Sequence, residues 1–243
     1  MEAVFLVKVC YILIELVYNV QKGFMEVFMD YSQFKEIILG RRSVRKFEEK
    51  EVSNEDIMEL IDCARYAPSD TNSQTWEFIV LKNKEQIKKV EEMTWDALHE
   101  KAEEAKGLGH DKPAKLLLKS FGPYATAFSD APVLIICLAT PYQSKFREKV
   151  FDPVKFVGDE VWREEGIKSS CLAIQNLMLA AHVKGLGTCP MTGPVMLAED
   201  RLHEYLHIDE EKTINMVVAL GYPKETPKRL PRKEVADILT IIE

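Results

Sequence analysis

The sequence has no excess of positive charge. Its 32 lysines and arginines face 39 aspartates and glutamates in 243 residues, a formal charge of -7. That argues against a general role on nucleic acid or anionic membranes, where cations must neutralise phosphates. It has no C-x-x-C pair either. The five cysteines (Cys10, Cys63, Cys137, Cys171 and Cys189) are odd in number and scattered. Such a set suits reduced thiols in a cytoplasmic setting better than a disulfide scaffold. Internal repeats, low-complexity tracts and flexible linkers are absent. What remains is a globular composition, 47% hydrophobic and 29% charged, at a length suited to one domain with an appendage.

The appendage is the N-terminus. Residues 3–20, AVFLVKVCYILIELVYNV, are apolar enough to suggest a membrane span. Lys8 and Glu15 lie inside the run, however, and each would cost about 2.5–3.5 kcal/mol at a bilayer centre. Lys8, Tyr11, Glu15, Tyr18 and Lys22 recur at helical spacing and make one polar stripe. We therefore expect residues 1–29 to form an amphipathic helical extension, packed on the body or on a partner subunit, with no integral membrane span. Two other readings stay open: a membrane-surface helix, or an extension upstream of a start at Met25 or Met29. A secretory signal is not expected, because small residues do not follow the run.

From Asp30 onward the punctuation is orderly. Asp30 is placed to cap a short helix through Phe34, Ile37 and Ile38, which Gly40 ends. Ser53 with Asp56 resembles a capping box and opens a helix through Ile57, Leu60, Ile61 and Ala64. Trp76–Leu81 is a short β-prone run, and residues 83–106 have helical spacing. Ala131–Ala139 is apolar throughout, as a strand buried on both faces would be. Ser169–Val183 is apolar nearly all round and predicts a central buried helix. Pro194 opens a helix to about Leu206, Met216–Leu220 is a third strand, and Pro231–Glu243 a last helix or strand. Helices with a few buried strands make an α+β or α/β layered fold.

Positive charge, though scarce, is concentrated twice. Arg41-Arg42-Ser43-Val44-Arg45-Lys46 holds four cations in six residues, and Lys224 through Lys233 holds five against one glutamate. Solvated helix ends would account for one such cluster. Two clusters in an acidic chain, with a hydroxyl between arginines, match the oxygens of a single phosphate monoester. Ala67 through Gln74 is dense in donors and acceptors, and is either a polar turn or a set of contacts to a heteroaromatic edge. Gly185-Leu186-Gly187 lacks the third glycine and preceding strand of a dinucleotide fingerprint.

In their order and spacing these segments resemble the FMN-dependent nitroreductase family over roughly residues 30–243. The resemblance rests on Arg41 through Phe47, on Ala67-Pro68-Ser69 with Asn72-Ser73-Gln74 and Trp76, and on Gly185-Leu186-Gly187-Thr188. Gly221-Tyr222-Pro223 and Lys228-Arg229 complete it. It implies an α+β sandwich with a mostly antiparallel central sheet flanked by helices, working as an intertwined homodimer with FMN at the subunit interface. Arg41, Arg42, Ser43 and Arg45 would hold the FMN phosphate and ribityl chain, with Arg229 closing on the phosphate. Pro68, Ser69 and Asn72 would approach the same flavin from the other subunit, and Pro190 and Met191 would line its ring. The implied activity is ping-pong hydride transfer from NAD(P)H through the flavin to a small electron-poor acceptor such as a nitroaromatic or quinone. No side chain need be an acid, base or nucleophile. Thr75 departs from the family's usual proline, and residues 1–29 have no counterpart in its pattern.

One motif competes. His203-Glu204-Tyr205-Leu206-His207 matches H-E-x-x-H, the helix motif of zinc hydrolases. Arg201 stands where such helices are usually apolar, and only 36 residues follow to supply a third ligand. An exposed helix end is the simpler expectation, with no metal bound. A flavin-binding module without turnover is the third alternative.

Overall fold

The computed structural model describes residues 30–155 and 157–243; the amphipathic extension expected over 1–29 lies outside the described residues. Helix α1, Tyr31–Gly40, belongs to a different unit from Arg41–Glu243. Asp30 precedes it as expected, its carboxylate accepting the Ser32 N–H at 3.4 Å.

Within the unit, each element follows from a local cause. Helix α2, Asn54–Ala64, starts where the Ser53 hydroxyl accepts the Asp56 N–H at 3.0 Å, and it buries Ile57, Leu60 and Ala64. Strand β1 is Trp76–Leu81, the span expected from its sequence. Helix α3, Lys84–Gly107, is capped by Asn83, whose side chain accepts the Glu85 N–H at 2.7 Å. Two short helices, α4 (Asp111–Leu116) and α5 (Gly122–Ala125), lead to strand β2, Val133–Ala139. Helix α6, Asp159–Val183, strand β3, Gly187–Met191, helix α7, Gly193–Leu206, and strand β4, Thr213–Gly221, complete the order.

The four strands run β1-β2-β4-β3, every neighbouring pair antiparallel. Strand β2 is central and buried at all seven positions. Its side chains alternate between two cores, as a period of two requires. Leu134, Ile136 and Leu138 join Val90 and Met93 of α3 and Leu202 of α7. Val133, Ile135 and Cys137 join Leu60 of α2 and Ile174 and Leu177 of α6 on the other face. The result is the helix–sheet–helix α+β sandwich the sequence led us to expect.

Three expectations need correction. Helix α6 begins at Asp159, not Ser169, because its charged first turns still keep Trp162 and Gly166 on the buried side. The helix is not buried all round in a single chain, since Leu172 and Val183 are 47% and 61% exposed. The tail forms neither a helix nor a strand of any length, only a single 3-10 turn at Val235–Asp237. No helix among the described residues is long and apolar enough to cross a membrane.

Candidate functional site

The cation-rich segment Arg41–Phe47 is an extended run laid along the sheet's β3 edge. Ser43 forms a parallel bridge with Thr188, and the Val44 N–H donates to the Thr188 carbonyl at 2.9 Å. Further on, Phe47 bridges Pro223, and the Lys224 N–H returns to the Lys46 carbonyl at 3.0 Å. Val44 and Phe47 are the inward side chains of this run, both buried. They also give two motif glycines a physical meaning. A Cβ at Gly187 would lie 2.7 Å from Val44 Cγ2, and one at Gly221 would lie 2.9 Å from Phe47 Cδ1. Glycine is what lets the arginine segment seat against the sheet.

Seated there, the segment gathers cations. Arg42 Nη1 donates to the Arg41 carbonyl at 2.7 Å. Arg41 is half-buried, and its Nη1 is a buried donor with no hydrogen-bond partner among the described residues. Burial, then repulsion from Arg42 and Arg232, pushes the Arg41 guanidinium below its ordinary value. His182, in the last turn of α6, is pushed down by burial and by Arg41 and Arg42. The Arg45 guanidinium lies 5.6 Å from the centre of the Tyr124 ring. Beneath it, burial raises the Cys189 thiol, although Arg45, Arg41 and a hydrogen bond with Ser43 act the other way. Packing like charges around a buried guanidinium is costly unless an anion completes the set. A phosphate monoester, with oxygens for both arginine forks and the Ser43 hydroxyl, fits this arrangement.

The structure therefore brings Arg41, Arg42, Ser43 and Arg45 together with Pro190 and Met191, which lie on β3 beside Thr188. Arg229 and Arg232 are both exposed, and the tail cation whose charge acts on Arg41 is Arg232. Pro68, Ser69 and Asn72 belong to a separate turn between α2 and β1, whose hydrogen bonds run within the turn and to Tyr142. Thr75, at the family's proline position, is buried, and its hydroxyl donates to the Gly166 carbonyl at 3.1 Å. Sequence reasoning overlooked His182, which carries no motif. It passed over Arg232 although that residue sits inside the cation run.

The H-E-x-x-H motif does not form a helical ligand pair. Helix α7 ends at Leu206, and His207 is a left-handed cap with φ 52° and ψ 45°. The two imidazoles consequently do not stack one turn apart on a continuous helix. His203 Nδ1 lies 3.3 Å from the Ile208 carbonyl oxygen. Among the described residues, no group of three His, Cys, Asp or Glu side chains is placed to hold a metal ion. A groove of about 1250 Å³ passes Lys46–Glu51 and Lys82–Lys88. It is balanced by pairs such as Lys46–Glu225 at 3.2 Å and Lys82–Glu51 at 3.0 Å, so it offers no concentrated field for an anion.

An α+β sandwich with a cluster of cations beside its edge strand is the class of protein that emerges. The chain belongs to the nitroreductase family, whose model matches residues 38–222. A Methanothermobacter thermautotrophicus protein, named provisionally as an NADH dehydrogenase/NAD(P)H nitroreductase, is 30% identical over 196 residues, 79% of this chain and 78% of that one. The iodotyrosine deiodinase of Thermotoga neapolitana is 26% identical over 198 residues, 80% of this chain and 91% of its own. Among solved structures, a BluB-like flavoprotein from Clostridium difficile is similar at a TM-score of 0.74 and 29% identity, covering 86% of this chain and 99% of that one.

Proposed function

We propose that the protein is an FMN-dependent, NAD(P)H-linked oxidoreductase that works as a homodimer in the cytoplasm and reduces a small electron-poor acceptor such as a nitroaromatic or quinone. The observation that carries this reading is the buried Arg41 donor among like charges, in a member of the nitroreductase family. FMN, when bound, supplies the chemistry, taking hydride from NAD(P)H and passing it to the acceptor. The chain's own task is to bind and orient. Arg41, Arg42 and Arg232 hold the phosphate, Ser43 and Arg45 the adjoining chain, and Pro190 and Met191 the ring. In this reading the tail residue on the phosphate is Arg232, whose charge already acts on Arg41.

Pro68, Ser69 and Asn72 reach the flavin of the partner subunit. No side chain acts as acid, base or nucleophile. The test is the absorbance spectrum of the purified protein, followed by NAD(P)H oxidation with and without added FMN. We expect a flavin band and FMN-dependent oxidation that an acceptor accelerates. Stoichiometric zinc without flavin would contradict the reading, and flavin without NAD(P)H oxidation would leave a binding module.

A further inference from the structure

The connection from β2 to α6 takes no part in the proposed reaction, yet it is closely tied. Arg147 is its hub. Its Nη1 donates to the Tyr142 carbonyl at 2.5 Å and its Nε to Asp152 at 3.2 Å, while its guanidinium lies 5.0 Å from the centre of the Trp162 ring. The Trp162 ring also meets Tyr142 at 5.7 Å and Phe151 at 5.3 Å, and the Tyr142 N–H donates to the Trp162 carbonyl at 2.8 Å. The buried Tyr142 ring is thus fixed in place, and so is its hydroxyl. Tyr142 Oη donates to Ser144 Oγ at 2.7 Å. With its one proton committed, the phenol oxygen is left to accept, and Thr71 Oγ1 stands 3.1 Å away.

Thr71 is in an unusual state. Its φ is 46°, and Asn72 and Gln74 follow at 58° and 50°. A β-branched residue there is a steric outlier, and three such residues in four persist only where the surroundings over-determine them. Within the turn, Ser69 Oγ accepts the Gln74 N–H at 3.0 Å and the Ser69 carbonyl accepts the Asn72 N–H at 3.1 Å. The bond to Tyr142 ties this turn to a segment 71 residues further along.

We propose that Tyr142 is a positioning residue: by accepting the Thr71 hydroxyl, and clamped itself by Arg147, it holds the Ser69–Gln74 turn in the left-handed course that presents Ser69 and Asn72 to the cofactor. This rests on the proposed function for what the turn touches, though not for how the turn is held. Tyr142→Phe keeps the ring packing and removes the acceptor, while Thr71→Val removes the donor.

In the full-length protein without flavin, both variants should speed deuterium exchange of the 69–75 backbone by about threefold or more. Both should weaken FMN roughly threefold to tenfold, and the double variant should be no worse than either single one. Thr71→Ser should behave as wild type. Unchanged exchange in both variants, or penalties that simply add, would overturn the proposal, even if one variant also lowers thermal stability. If the wild-type chain takes up no FMN, the cofactor reading fails, and the exchange measurement alone decides this proposal.

Discussion

At the scale of single residues, the Arg41 guanidinium stands among like charges with a buried Nη1 that has no hydrogen-bond partner among the described residues. Charge-assisted hydrogen bonds contribute about 1.5–3 kcal/mol each, so Arg232→Ala should weaken FMN roughly tenfold to a hundredfold. Arg229→Ala should weaken it much less, and isothermal titration of the two variants compares them directly. A larger loss in Arg229→Ala than in Arg232→Ala would return the phosphate role to Arg229. His182 gives a second, flavin-free check. Its protonated form is disfavoured in the fold relative to the unfolded chain, by burial and by Arg41 and Arg42. Below the usual imidazole value the unfolded chain therefore binds the extra proton, so stability falls on acidification and recovers as pH rises. His182→Gln should flatten that part of the denaturation profile between about pH 5.5 and 7.5. A slope identical to wild type would show that His182 does not sense the arginines.

Elements explain why the arginines sit where they do. Gly187→Ala sets a methyl against the Cβ of Val44, 2.8 Å away, so the Arg41–Phe47 segment must shift. We expect FMN binding to fall at least about tenfold while the sheet persists, because a displaced guanidinium loses its bond outright. Gly185→Ala is the contrast. It has open space but a φ of +75°, so it should cost about 1 kcal/mol in chemical denaturation with little loss of affinity. The reverse pattern would mean that the G-x-G loop itself contacts the ligand.

The same elements show what was legible beforehand. Strand β1 and helices α2 and α3 announced themselves, because period-two or helical patterning coincided with real caps at Ser53 and Asn83. Strand β3, Gly-Thr-Cys-Pro-Met, looked like a loop. It tolerates Gly187 and Pro190 because it is the sheet's edge strand, where Pro190 need not donate to a further neighbour. The arginine motif was legible as a cation cluster from charge alone. Its tail partner and His182 were not, because long-range folding sets their approach and no local pattern records it.

The whole molecule raises the question of a second chain. Leu172 and Val183 on α6 are exposed, and so are Leu230, Ile238, Ile241 and Ile242 in the tail. Apolar surface of this extent supports an obligate homodimer burying more than about 2,000 Å². Co-refolding an Arg42→Ala chain with an Asn72→Ala chain tests it. If chains pair at random, half the dimers are hybrids with one intact site of two, so about a quarter of wild-type FMN sites should return. No recovery would place the whole site within one chain.

The central claim, that this fold holds FMN by its phosphate on the β3 edge, is tested most directly by titrating the flavin-free protein with FMN and with riboflavin side by side. The account predicts one FMN per chain and riboflavin bound at least about a hundredfold more weakly, since riboflavin leaves the Arg41 cluster without its anion. Equal affinity for the two flavins, or binding of neither, would contradict it.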